Sequence, residues 1–147
     1  MLTTRDAICH LIYSYAERID AGDFAGIGAL LAHAEITFEG YDTTVTGPSA
    51  IEALYTATTR RYEDGTPRTK HVMTNVMVDL ADDEESATSR SYFTVLQAVP
   101  GQLALQPVIA GRYVDRFERI GSSWRFVAMH VVVELMGDLS SHLLTEI

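Results

Sequence analysis

Four long β-patterned segments fill the second half of the chain, at roughly residues 69–80, 86–98, 103–119 and 124–135. Only hairpin signals separate them: "ADDEE" (Ala81 to Glu85), Pro100-Gly101 and "GSS" (Gly121 to Ser123). Parallel neighbours need a crossover of a dozen or more residues, so connections this short allow only an antiparallel meander. The third segment far exceeds the average strand of about 5–6 residues and is expected to bend or carry a bulge.

The first half reads as helical. Thr3 or Thr4 caps a helix running to about Ala21, with Ile8, Leu11, Ile12, Tyr15 and Ile19 as its apolar stripe. The turn "DAGDF" (Asp20 to Phe24) breaks it, and a short helix with Ile27, Leu30 and Leu31 follows. "EITFEGY" (Glu35 to Tyr41) reads as a strand. "PSAIE" reads as a capping box, Ser49 as N-cap and Glu52 three residues on, opening a helix to about Arg61. Helices followed by a meander imply an α+β fold, with the helices on one face of the sheet. A strongly curved sheet wrapped partly around helices leaves a cone, and a cone can hold a ligand.

At 147 residues this is expected to be one domain, spanning 1–147. A net charge of −9 argues against nucleic acid or an anionic membrane as partner. Cys9 is the sole cysteine, so no internal disulfide forms, and the start "MLTTRDAI" lacks signal-peptide character. No apolar run approaches the roughly 20 residues that span a bilayer. A cytoplasmic location is expected. The histidines at 10, 33, 71, 130 and 142 show no zinc-type spacing, so no metal and no cofactor are expected.

One stretch raises a chemical question. In "RTKHVMTNVMVDL" (Arg68 to Leu80), strand alternation places His71, Met73, Asn75 and Met77 on one face. Asn75 serves there as a substrate hydrogen-bonding group or as a structural amide. Met73 and Met77 serve as core fillers or pocket wall. In the last segment Trp124, Phe126, Ala128, His130, Val132 and Glu134 alternate onto one face, running from packed core into a lined cavity. His130 is there a second acid/base or a neutral donor. Tyr92 offers a hydroxyl or packs. Tyr113, Phe117, Val131 and Val133 are expected on the opposite, outer face, where they favour a homo-oligomer, dimer or trimer. The C-terminal "DLSSHLLTEI" (Asp138 to Ile147) is read as a short helix that closes the cone or swaps onto a neighbour.

"YAERIDAGDFAGIGALL", "GPSAIEALY", "KHVMTNVMV", "GRYVDRFER" and "SSWRFVAMHV" together span nearly the whole chain. In that order they resemble the SnoaL-like branch of the nuclear-transport-factor-2-like (NTF2-like) superfamily, which includes polyketide cyclases, scytalone dehydratase and bile acid 7α-dehydratase. The resemblance implies an NTF2-like cone, a curved, mainly antiparallel sheet wrapped around N-terminal helices. It also implies a catalytic set of Tyr15, Asp20 and His71. Histidine supplies a base near neutrality, aspartate fixes its tautomer, and tyrosine polarises a carbonyl or donates to a leaving oxygen. Spacing leaves Asp20 as either pocket carboxylate or turn cap, and Tyr15 as either pocket donor or core aromatic. Ser91, Tyr92 and Phe93 stand where scytalone dehydratase carries a second histidine, which argues against a scytalone-like substrate. The implied function is a cofactor-independent lyase or isomerase acting on a small hydrophobic, oxygenated ring compound. The alternatives are a non-catalytic ligand-binding module, or an assembly subunit like the small subunits of ring-hydroxylating dioxygenases.

Overall fold

A computed structural model describes residues 2–145. The elements follow in the order α1 (Thr4–Asp20), α2 (Phe24–Leu30), β1 (Glu35–Phe38), β2 (Thr44–Thr46), α3 (Pro48–Thr58), β3 (Thr69–Leu80), β4 (Ser86–Val99), β5 (Leu103–Ile120) and β6 (Ser123–Met136). The sheet order is β2-β1-β6-β5-β4-β3. All neighbours are antiparallel except β1 and β6, which run parallel. This is the expected α+β architecture, with β2 as an additional short edge strand. Among the described residues no helix is long and apolar enough to cross a membrane.

The N-cap of α1 is Thr3, whose hydroxyl accepts from the Asp6 amide. Ile8, Ile12, Tyr15 and Ile19 lie on the buried side of α1 and meet Phe93, Val95, Tyr113 and Phe117 from β4 and β5 in one core. The capping box is corrected: Gly47 is the N-cap of α3, and no side chain caps it. Pro48 fixes a helical φ one residue earlier than expected, so Ser49 is already inside the first turn. The helix also ends earlier, at Thr58, because Thr59 turns extended and bridges Leu143.

Three expected faces are corrected, two of them by single-residue register shifts. In β3 the pairing with β4 skips between Thr74 and Met77, and Asn75 adopts φ 53°. The inward sequence therefore becomes Met73, Val76, Val78, while Asn75 and Met77 are exposed. In β6, Ala128 pairs with Arg116 but Phe126 pairs with Phe117, so Val127 is the extra residue. Phe126, Met129 and Val131 face the core, and His130 does not share their face. The outer-face expectation also reverses. Tyr113, Phe117 and Val131 are buried in the core and only Val133 of the four is exposed, whereas Val72, Tyr92 and Val114 are exposed instead. The anticipated bulging of the long strand is present against β4, where Val95 pairs with Ile109 but Leu96 pairs with Pro107, so Val108 is the extra residue.

Polar groups lie beneath this core. Asp115 is 1% exposed, and its Oδ1 has no partner, nor have the buried hydroxyls of Ser89 and Ser91 on neighbouring β4. Burial raises the Asp115 carboxyl well above its ordinary 3.8. The folded state therefore keeps a proton that the unfolded chain releases once pH passes about 4. Stability from this group is fullest below that pH and declines as pH rises. Asp115→Asn, which cannot ionise in the unfolded chain, is expected to raise unfolding stability at pH 7 by at least about 1.4 kcal/mol, the linkage worth of one pKa unit. Urea unfolding at pH 7 and pH 3.5 checks this, because the gain must vanish at the lower pH.

Candidate active site

The end of α1 and the start of β3 build the centre. Asp20 is the last residue of α1, yet it does not cap the turn that follows. Ala21, Gly22 and Asp23 close the helix with backbone amides, and the Asp23 side chain instead accepts from Gly26 at the start of α2. Asp20 is thereby left to reach across to β3. Its Oδ1 accepts from the Thr69 hydroxyl at 2.8 Å and from His71 Nδ1 at 2.6 Å. Its Oδ2 accepts from the His71 backbone N–H at 2.7 Å.

A carboxylate that accepts three hydrogen bonds is fixed in position. Because it can only accept, His71 Nδ1 must carry the proton, and the Nε2 lone pair is the one left over. The His71 side chain is only 4% exposed. An imidazole held in one tautomer and shielded from bulk water is a positioned proton acceptor.

Two hollows meet at this pair. One is an open groove of about 620 Å³ between α1 and β3, lined by Tyr13, Glu17, Thr66, Lys70 and Met73. The other is the interior of the cone, about 360 Å³, walled by apolar residues including Phe38, Leu54, Phe93, Ile109 and Val131. The interior is the better ligand site: an apolar wall broken by a few converging polar groups is the usual composition of a small-molecule pocket.

Those polar groups include His71, His142 and the buried tyrosines Tyr15, Tyr55 and Tyr113. Tyr15 and Tyr55 share a hydrogen bond of 2.7 Å, and the Tyr113 hydroxyl donates to Tyr15 at 3.5 Å. Burial, reinforced by their mutual proximity, raises all three phenols above the ordinary 10, so they act as hydrogen-bonding groups and not as phenolates. Three hydroxyls in a chain use two of their protons on each other, which leaves one to offer a ligand.

Tyr15, Asp20 and His71 thus come together. The other sequence candidates do not join them in the interior. Asn75 sits on the exposed bulge, and Tyr92 is 53% exposed, because it alternates with inward-facing Ser91 and Phe93. Met73 lines the open groove. His130 has both ring nitrogens occupied, by Thr37 Oγ1 and Glu39 Oε2, each at 2.7 Å. Glu39 itself lies at the edge of the interior. Among the described residues no cluster of three or more potential metal ligands occurs.

Sequence reasoning missed His142. The C-terminal segment is not the expected helix; through Thr145 it forms turns laid against its own α3, and residues 146–147 lie outside the described range. His142, Leu143 and Thr145 line the cone. Only the tertiary fold carries His142 there, so no local signal marks it.

Several solved structures share this architecture. An NTF2-like protein with a cystatin-like fold from Novosphingobium aromaticivorans superposes with a TM-score of 0.71 at 23% identity, covering 93% of this chain and 85% of its own. ActVI-ORFA from Streptomyces coelicolor gives 0.70 at 17% identity, covering 87% and 95%. LinA gives 0.68 at 21% identity, covering 90% and 86%. At these identities the likeness is one of fold. No curated protein matches the sequence. The model of the SnoaL-like domain matches residues 1–130, and with the NTF2-like fold around it the chain belongs to the SnoaL-like domain family.

Proposed function

We propose that this protein is a cofactor-independent lyase or isomerase that removes a proton from the carbon next to the carbonyl of a small, neutral, oxygenated ring compound. The observation that carries this reading is the 2.6 Å contact between His71 Nδ1 and an Asp20 carboxylate already held by two further donors, on the wall of an apolar cavity. His71 Nε2 takes the proton, and Asp20 stabilises the imidazolium that forms. The tyrosine chain gives its one spare proton to a substrate oxygen. Elimination, double-bond migration and intramolecular aldol closure all begin with this step.

The lining also supports a substrate class. Among the described residues no lysine or arginine lines the interior, and Glu39 at its edge is acidic. A carboxylate or phosphate entering such a wall would lose its hydration with no cation to replace it. A cavity of about 360 Å³ suits a body of one or two rings.

1-Tetralone tests the shared step directly. It is a neutral bicyclic ketone whose C2 hydrogens exchange with deuterium in heavy water through the enolate. The C2 proton passes to His71 and then to solvent, and a solvent deuteron returns to C2. Proton NMR should show the wild-type protein accelerating C2 exchange over buffer, and His71→Gln returning it to the buffer rate. Binding of 1-tetralone without accelerated exchange would sink the enzymatic reading and leave a ligand-binding module.

A further inference from the structure

We infer that His142, delivered by the C-terminal segment, is a second catalytic imidazole of this site, a neutral donor that hydrogen-bonds the carbonyl oxygen of the ligand beside His71. The inference rests on the acid–base reading above and adds to it the group that receives the enolate charge.

His142 is held as firmly as a residue of the sheet. Its carbonyl accepts from the Arg60 amide at 2.8 Å, and its own amide donates to Leu139 at 3.0 Å. The Leu144 amide donates to Thr58 at 2.9 Å, and Leu143 bridges Thr59. On the preceding residue, the Ser141 carbonyl accepts from Gln97 Nε2 at 2.9 Å and from the Tyr62 hydroxyl. The backbone is therefore fully engaged, yet the side chain is not.

His142 as a residue is only 5% exposed, and its buried Nδ1 has no hydrogen-bond partner. A buried polar atom without a partner costs stability and is uncommon in native proteins, so its retention calls for a role. The His71 and His142 rings stand edge to face with centroids 6.3 Å apart, and both line the cone. They share no hydrogen bond, so neither ring satisfies the other and both can turn to one ligand in the cone.

That spacing suits enolisation. The carbon that loses its proton to one imidazole is bonded to the carbonyl carbon, whose oxygen then reaches the second. Burial, followed by the neighbouring His71 ring, lowers the His142 imidazole to about 4, against a smaller opposing pull from Asp20. At neutral pH it is uncharged, with one N–H to give. The tyrosine chain also has a single proton to give, so together they match a ligand with two oxygens.

Two measurements with 1-tetralone decide the assignment. His142→Leu, which removes the donor at similar volume, is expected to slow C2 exchange about 100-fold, as loss of one oxyanion donor does. His142→Asn, which keeps a polar atom near the Nδ1 position, should recover at least tenfold of that loss. Exchange in His142→Leu within threefold of wild type would overturn the assignment.

The second measurement does not depend on catalysis. In His71→Gln protein the 13C resonance of bound, carbonyl-labelled 1-tetralone should lie downfield of its unbonded position. It should move back when His142→Leu is added. An unchanged resonance, or no binding to the His71→Gln protein, overturns the inference. If instead wild-type protein fails to exchange 1-tetralone, the acid–base reading falls while the carbonyl resonance still decides His142. Thermal unfolding at pH 7 separates function from structure. A midpoint equal to or above wild type in His142→Leu supports a functional group, and a midpoint many degrees lower marks a structural residue and overturns it.

Discussion

Asp20→Asn should slow C2 exchange of 1-tetralone by about 10³–10⁴-fold while leaving the protein folded, the range seen when a base loses its function or its orienting carboxylate. The size follows from counting acceptors. Asp20 uses Oδ1 for Thr69 and His71 Nδ1, and Oδ2 for the His71 backbone N–H. Asparagine has one acceptor oxygen and one donor NH₂ group. With its oxygen at the Oδ1 position, the NH₂ would face the backbone N–H of His71, donor against donor. With the amide turned, the oxygen satisfies the backbone, and the NH₂ faces His71 Nδ1. The imidazole must then carry its proton on Nε2, and the lone pair that should face the cavity is lost.

The second arrangement keeps the backbone bonded and is the expected one. The stability cost should stay near 1–3 kcal/mol, the range for weakening one buried hydrogen-bonded group. Nitrogen-15 NMR of the imidazole reads the tautomer independently of rate: the protonated nitrogen should move from Nδ1 to Nε2. Exchange within tenfold of wild type would mean that Asp20 does not orient the base, whatever its 2.6 Å contact implies.

Much of this architecture was legible because its signals are local and periodic. The hairpin turns at Ala81 to Glu85, Pro100-Gly101 and Gly121 fixed the meander, and the 3.6-residue stripe from Ile8 to Ile19 fixed α1. Which residues face inward was less legible. One extra residue in a strand reverses every side chain beyond it, and that happens at Asn75 and at Val127. Asn75 did carry a hint: asparagine is among the few residues that accept a positive φ, here 53°. Val127 carried none. Asp20 was ambiguous for a different reason, since a carboxylate at a helix end can serve its own turn or a distant strand. Only the neighbouring Asp23, which caps α2, resolves the choice. His142 and the buried Ser89–Asp115 layer depend wholly on long-range packing, which alternation within one strand does not encode.

The meeting of Asp20 with His71 also depends on a residue that performs no chemistry. Gly22→Ala should cost about 3 kcal/mol or more of stability and slow exchange by at least about 100-fold, since a misplacement of about 1 Å at a reacting group has that effect. Gly22 follows the C-cap of α1 with φ +73°, and its amide donates to Ile19 while the Asp23 amide donates to Arg18. This is the paired closure that favours glycine at that position. A Cβ there would lie 1.9 Å from the Gly65 carbonyl oxygen and 3.2 Å from Arg61 Cδ. The first clash is with backbone, so the loop carrying Gly65 must retreat by more than about 1 Å to reach ordinary contact. That loop leads directly into Thr69 and His71, the two residues whose side chains bond Asp20. Gly65→Ala is the matched control. It shares the positive φ, at +81°, but its Cβ would meet nothing within 4 Å. It should cost only the left-handed strain of about 1–2 kcal/mol and leave exchange near the wild-type rate. If both variants slow exchange equally, backbone strain alone accounts for the loss, and the close approach of Gly22 to Gly65 does not set the Asp20–His71 geometry.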